Sequence, residues 1–202
     1  MTKIKICGLF RQEDVAPVNL AYPEYAGFVF CEKSRRNVSP ALAAALRKAL
    51  DVGIATVGVF VNAPVEQIAE LYEAGIMTVA QLHGGEDAAY IAALRRRAAE
   101  MEIWQAFQIR SGYDLVAAAA SRADLVLLDG GAGAGKTFDW ALAEKFPRPF
   151  ILAGGLTPET IPEAIARMHP YSVDVSSGVE TDGFKDGAKI RAAVEAARKA
   201  NP

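Results

Sequence analysis

Short apolar runs and amphipathic stretches alternate along the whole chain. The runs are Ile4–Cys7, Tyr25–Phe30, Ala55–Val61, Thr78–Leu82, Ile103–Ile109, Ala123–Leu128, Phe150–Ala153 and Ser172–Val175. Several are nearly unbroken, as in Thr56-Val57-Gly58-Val59-Phe60-Val61, which suits strands covered on both faces better than a sheet with one wet face. Between them lie helix patterns with legible starts. Ser39 before Pro40 opens Ala41–Leu50, and Thr157 before Pro158 opens a stretch to Met168, each a cap residue ahead of a proline at the first helical position. Asn62-Ala63-Pro64 leads into Val65–Ala74, which Gly75 closes. Asp87–Met101 and Asp186–Ala200 carry apolar residues at helical spacing with charges between.

Strands alternating with helices imply right-handed βαβ units and a parallel sheet. Eight strand and eight helix candidates in 202 residues predict an α/β protein with one domain over residues 1–202, a single (β/α)8 TIM barrel with short loops. A doubly wound open sheet is the weaker alternative, because Cys7-Gly8-Leu9 after the first strand carries no glycine-rich phosphate fingerprint.

Composition narrows the function classes. With 51% hydrophobic and 23% charged residues the chain is neither disordered nor fibrous. Its net charge of −2 lacks the basic footprint of a nucleic-acid binder. No run nears the 18 or so apolar residues that span a bilayer, and the N-terminal run has lysines inside it, unlike a signal peptide. Two cysteines make no disulfide framework. A cytoplasmic protein with free thiols and a small-molecule ligand is expected, with no nucleic acid and no membrane as partner. Alanine-rich helices favour a monomer, with a homodimer left open.

Barrels do their chemistry at the C-terminal ends of the strands. There the chain places Cys7-Gly8, Ser34-Arg35-Arg36, Asn62, His83-Gly84-Gly85, Asp129-Gly130-Gly131, Gly154-Gly155-Leu156 and Ser176-Ser177-Gly178-Val179-Glu180. Loops after strands seven and eight are where this fold often binds phosphate, and Gly154, Gly155, Ser177 and Gly178 supply amides and a hydroxyl for it. Tight turns are the plainer use of those glycines. Cys7 and Asp129 are a candidate base and acid facing each other across the mouth, yet each also fits a quiet role, as a small buried hydrophobe and a turn cap. Arg36, beside Arg35, offers a fork for a planar carboxylate. His83 is a pocket candidate or a satisfied buried histidine. His169 reads as a helix C-terminal charge and Arg95-Arg96-Arg97 as a wet helix face. No spacing of His, Cys and carboxylates suggests a metal. Gly130–Thr137 satisfies the P-loop pattern, but only 65 residues follow it, too few for the rest of a nucleotide-binding sheet.

Taken together these stretches resemble the phosphoribosylanthranilate isomerase family of tryptophan biosynthesis. Lys5-Ile6-Cys7-Gly8-Leu9, Ser34–Pro40, Gln81-Leu82-His83-Gly84, Leu127-Leu128-Asp129, Gly135–Trp140, Ala153–Leu156 and Asp174–Glu180 carry the likeness along the whole chain. The resemblance implies an Amadori rearrangement needing no cofactor and no metal. Asp129 would be the general acid, Cys7 the general base, and Arg36 the carboxylate ligand. The amides of Gly154, Gly155 and Gly178 with Ser177 would hold phosphate, and His83 would line the pocket. The family loop Gly-Gly-Thr-Gly is replaced here by Ala132-Gly133-Ala134-Gly135, which leaves its part in phosphate contact open. An indole-glycerol-phosphate synthase would need a lysine at a strand end, and no apolar run ends in one. A non-catalytic phosphosugar-binding barrel is the remaining rival. A Cys7–Cys31 disulfide is disfavoured by a reducing cytosol.

Overall fold

Eight parallel strands, each paired with the next, close into a barrel in the computed structural model, which describes residues 1–130 and 140–200. They are β1 Lys3–Cys7, β2 Tyr25–Phe30, β3 Ala55–Phe60, β4 Val79–Leu82, β5 Glu102–Gln108, β6 Leu125–Asp129, β7 Phe150–Ala153 and β8 Ser172–Val175. The last returns to the first through Ile4↔Val173 and Lys5↔Asp174. Seven helices wrap the described barrel: α1 Val15–Ala21, α2 Pro40–Ala49, α3 Val65–Glu73, α4 Ala88–Arg97, α5 Gly112–Ala120, α6 Ile161–Met168 and α7 Gly187–Lys199.

The expected barrel is present, with four local differences. Between β6 and β7 the described residues hold one 3-10 turn, Trp140–Leu142, instead of an eighth α-helix. The helix expected over Asp87–Met101 ends at Arg97, where Arg95, Arg96 and Arg97 crowd its last turn and favour the negative helix terminus. Arg95 and Arg97 there pair with Asp124 and Glu73 at the surface. The stretch opened by Thr157 begins with a turn, in which the Thr157 amide donates to Thr160 Oγ1 at 2.9 Å, and the helix starts only at Ile161. Ser39 does cap α2, accepting from the Leu42 amide at 3.2 Å. His169 ends α6 in a left-handed conformation, φ 46°, with its backbone N–H donating to the Ile165 carbonyl. A small antiparallel hairpin, β9 Glu180–Thr181 with β10 Phe184–Lys185, was not anticipated; it follows β8 at the mouth.

Strand alternation sorts the side chains into two cores. Ile4, Ile6, Ala80, Leu82, Val126, Leu128, Val173 and Val175 face outward and pack with the helices in one large cluster. Val57, Val79, Trp104, Leu125, Leu127 and Ile151 form a second cluster with Tyr25, inside the barrel. Trp104 is fully buried there, edge-on to Tyr25 at 5.0 Å, with its indole N–H donating to Glu102 at 2.7 Å. On β1 the same alternation turns Lys3, Lys5 and Cys7 inward. Lys5 reaches Gln81 on β4, a strand not adjacent to its own, which only an inward side chain can do.

Truncating Trp104 would remove the largest fully buried side chain, which sits in the inner core. Trp104→Ala is expected to lower stability by about 3–5 kcal/mol, read from urea unfolding, and a loss below about 1 kcal/mol would show that the inner cluster is not a packing centre.

Candidate active site

Cys7, Arg36, His83, Asp129, Gly154, Gly155 and Ser177 line one cavity of about 230 Å³ at the C-terminal mouth. Seven of the eight site residues expected from sequence therefore share a wall. Gly178 stands just behind it. A side chain there would come within 1.9 Å of the Leu156 carbonyl oxygen, so glycine lets the loop after β8 press onto the loop after β7. A hollow of about 730 Å³ at the opposite end, between Thr2, α6 and α7, has His169 and Lys199 in its lining but, among the described residues, no carboxylate or thiol side chain.

Cys7 ends β1 and is 7% exposed. Burial pushes its thiol above the ordinary range; the Lys5 ammonium pulls against that, Asp174 adds to it, and Lys185 opposes it. The space for this thiol comes from β2. A Cβ on Gly27 would sit 2.9 Å from Cys7 Sγ and 3.1 Å from Lys5 Cε. Both thiols of the chain, Cys7 and Cys31, are free.

Asp129 ends β6, and its Oδ2 lies 3.5 Å from His83 Nε2. Gly154, in the left-handed region at φ 98°, keeps this carboxylate unobstructed: a Cβ there would be 2.9 Å from Asp129 Oδ1 and 2.6 Å from the Gly130 nitrogen. Gly155 follows at φ 69° with open space around it. Gly154 thus leaves room for the Asp129 carboxylate.

Arg36 is held on both sides. Its stem crosses Gly8, where a Cβ would collide with Cδ at 2.4 Å, and its Nε and Nη2 bond Glu180 Oε1 and Oε2 at 2.7 and 2.8 Å. Lys185 reaches the same carboxylate at 2.8 Å, and Arg35 also pairs with it. Burial would raise Glu180, but Arg36 and Lys185 hold it down to about 2. Three cations against one carboxylate leave this rim positive, and among the described residues Nη1 of Arg36 makes no bond that a second carboxylate would have to break.

Sequence reasoning missed Lys5, Gln81, Asp174, Glu180, Lys185 and Gly27 as parts of the site. The signal for two of them was present: Lys5 and Asp174 have inward parity, each flanked by apolar neighbours, Ile4 and Ile6 on β1 and Val173 and Val175 on β8. Asn62, noted only as a strand end, adopts φ 53° and accepts from the Gly85 amide at 2.8 Å, while its own amide donates to Glu86. It staples the ends of β3 and β4. Residues Gly131–Thr137 of the P-loop pattern, with the Ala132–Gly135 departure, lie outside the described residues. Among those described, no three His, Cys, Asp or Glu side chains come together as metal ligands, and no helix is long and apolar enough to cross a membrane.

A closed (β/α)8 barrel with a thiol, a carboxylate, an arginine and a glycine pair around one mouth is the architecture of a barrel enzyme for a small anionic substrate. The chain matches the family described as N-(5'-phosphoribosyl)anthranilate isomerase over residues 4–196. It is 46% identical to the N-(5'-phosphoribosyl)anthranilate isomerase of Endomicrobium trichonymphae, over 94% of this chain and 95% of that protein. The crystal structure of phosphoribosyl anthranilate isomerase from Thermotoga maritima superposes with a TM-score of 0.90 at 34% identity, covering 98% of this chain and all of the other. Another neighbour, at TM-score 0.87, 33% identity, 98% of this chain and 100% of its own, is a phosphoribosyl anthranilate isomerase in complex with reduced 1-(o-carboxyphenylamino)-1-deoxyribulose 5-phosphate. The chain belongs to the N-(5'-phosphoribosyl)anthranilate isomerase family.

Because the folded state holds Glu180 below its ordinary 4.5, its contribution is present in full above that range and drains away as pH falls toward about 2. Wild type should therefore lose stability over this window more steeply than Glu180→Gln. Urea midpoints measured between about pH 5 and 2 check this, and parallel curves would remove Glu180 as the anchor of the rim.

Proposed function

We propose that this mouth catalyses the Amadori rearrangement of N-(5-phosphoribosyl)anthranilate to 1-(2-carboxyphenylamino)-1-deoxyribulose 5-phosphate, a step of L-tryptophan biosynthesis, by general acid–base catalysis. The carrying observation is that a thiol from β1 and a carboxylate from β6 share one cavity between a cationic rim and a glycine-rich rim. The substrate has the matching layout: a carboxylate at one end, a phosphate at the other, and the reacting carbons between.

Protonated Asp129 gives its proton to the furanose ring oxygen. The C1–O bond breaks, its electrons stay on that oxygen, and the nitrogen lone pair forms an iminium. Cys7 as thiolate then takes the proton from C2, and the C–H electrons form the C1=C2 bond of an enolamine. Protonation at C1 and loss of the O2 proton give the ketone. The buried Cys7 thiol, pushed up at rest, becomes easier to ionise once the adjacent iminium carries positive charge. Arg36 receives the anthranilate carboxylate; Gly154, Gly155, Gly178 and Ser177 receive the phosphate; His83 supports Asp129 after it has given up its proton. Anchoring both ends holds C1 and C2 at the acid and base, and the remote phosphate supplies binding energy for that orientation.

The same reading takes the protein as a cytoplasmic monomer. Light scattering that gave twice the chain mass would overturn the oligomeric part.

Substrate generated in situ should lose its anthranilate fluorescence only when enzyme is present. Cys7→Ala and Asp129→Asn should each lower kcat by about 10²–10⁴-fold with the circular dichroism of the fold retained. Near-wild-type kcat in either variant would strip that residue of its role. Arg36→Ala should act mainly on KM.

A further inference from the structure

The inside of the barrel contains a lysine that the reaction above does not use. Lys5 is fully buried, two residues before Cys7 on the same face of β1. Its ammonium meets Asp174 Oδ1 and Oδ2 at 3.1 and 3.0 Å and Gln81 Oε1 at 2.9 Å. Burial works against this charge, but Asp174 and Cys7 hold it above a lysine's ordinary value, so it stays an ammonium. We propose that Lys5 is a positioning residue that serves the base and the acid at once, through Cys7 on its own strand and through Gln81 and His83 on β4.

The second arm follows from hydrogen-bond valence. An ammonium has donors only, so the Gln81 atom facing Lys5 must be the carbonyl oxygen. The Gln81 amide nitrogen then faces His83, 3.1 Å from Nδ1. That nitrogen can only donate, so Nδ1 must accept and the proton of neutral His83 sits on Nε2. Nε2 is the atom 3.5 Å from Asp129 Oδ2. The chain Asp174–Lys5–Gln81–His83–Asp129 therefore aims one N–H at the oxygen that becomes a carboxylate when Asp129 protonates the sugar. Without Lys5, Gln81 could turn over and present its oxygen to Nδ1, placing the histidine proton on the wrong nitrogen.

The first arm is electrostatic. Cys7 is faced by Lys5 on β1, Asp174 on β8, Lys185 on β10 and the Arg36 guanidinium, with His83 and Asp129 across the cavity. Lys5 packs beside the thiol, since one Cβ at Gly27 would touch both Cys7 Sγ at 2.9 Å and Lys5 Cε at 3.1 Å, and its pull on the thiol exceeds that of Lys185. Removing Lys5 leaves burial and Asp174, which both oppose the thiolate, against the weaker pull of Lys185.

This proposal rests on the acid–base reading of Cys7 and Asp129, so two of its tests do not depend on turnover. In a Cys31→Ala background, iodoacetamide alkylation of Cys7 should shift to higher pH in Lys5→Met; an unshifted profile in folded Lys5→Met overturns the first arm. Nitrogen-15 NMR of wild type should show His83 protonated on Nε2, and a proton on Nδ1 overturns the second arm. Gln81→Leu keeps the Lys5–Asp174 pair and so covers the case in which Lys5→Met fails to fold. It should leave the alkylation profile in place, put the His83 proton on a mixture of both nitrogens, and lower kcat by about tenfold or more with KM little changed. A His83 tautomer unchanged by Gln81→Leu would likewise overturn the relay. Absence of isomerase activity in wild type would refute the proposed reaction while leaving the alkylation and NMR results to judge Lys5.

Discussion

An ammonium and a carboxylate taken out of water inside a barrel can persist only together. The bare cost of burying one ion is several kcal/mol even after relaxation, and removing one partner of such a pair typically costs about 3–5 kcal/mol, because the other is left uncompensated. Lys5 and Asp174 meet this condition by register: they are direct neighbours across the seam where β8 returns to β1. The closure of the barrel and the pairing of its buried charges are thus one event. Cys7 stands two residues further along β1, and Asp129 is tied in through β4, so the chemistry at the mouth inherits its geometry from that seam.

The second constraint is room. Four glycines around the mouth are each fixed by a neighbour that a methyl group would strike: Gly8 by Arg36, Gly27 by Cys7 and Lys5, Gly154 by Asp129 and Gly130, Gly178 by Leu156. Two of these, Gly8 and Gly154, also have left-handed backbone. The glycine-rich strand ends are accordingly not only anion cradles. They let four polar side chains crowd into a small volume, and they let the last two loops lie against each other. The same crowding explains the β9–β10 hairpin, which brings Lys185 back to Glu180 and so completes the cationic rim next to Arg36.

Most of the barrel was legible because its strands are covered on both faces and its helices carry capping signals. Tyr25–Phe30, Phe150–Ala153 and Ser172–Val175 begin and end where the apolar runs do. The shortfalls have physical reasons. Two-residue strands such as Glu180–Thr181 have no periodicity to detect. At the site, residues that end strands were visible, because topology alone sends them to the mouth. Lys5, Gln81 and Asp174 lie inside strands, where a lone polar residue is easily taken as tolerated; only the alternation Lys3, Lys5, Cys7 betrays that they point into the barrel. Glu180 was read as a motif letter because nothing in a linear sequence says that Arg36, 144 positions away, closes on it.

The distribution of charge around the cavity also fits the course of the proposed reaction. Arg35, Arg36 and Lys185 outnumber Glu180 on one rim, and the other rim offers backbone amides, so both anionic ends of the substrate are drawn outward. The centre holds Asp129, while Asp174 below it is paired with Lys5. Positive charge appears there only transiently, as the iminium, after Asp129 has become a carboxylate. A site that is cationic at its ends and anionic at its middle stabilises that charge more than it stabilises the neutral ring, which is the differential binding that lowers a barrier. Lys5 would oppose the iminium if its charge were free. Its pairing with both oxygens of Asp174 confines that field to its immediate neighbours, Cys7 and Gln81, where a cation is useful.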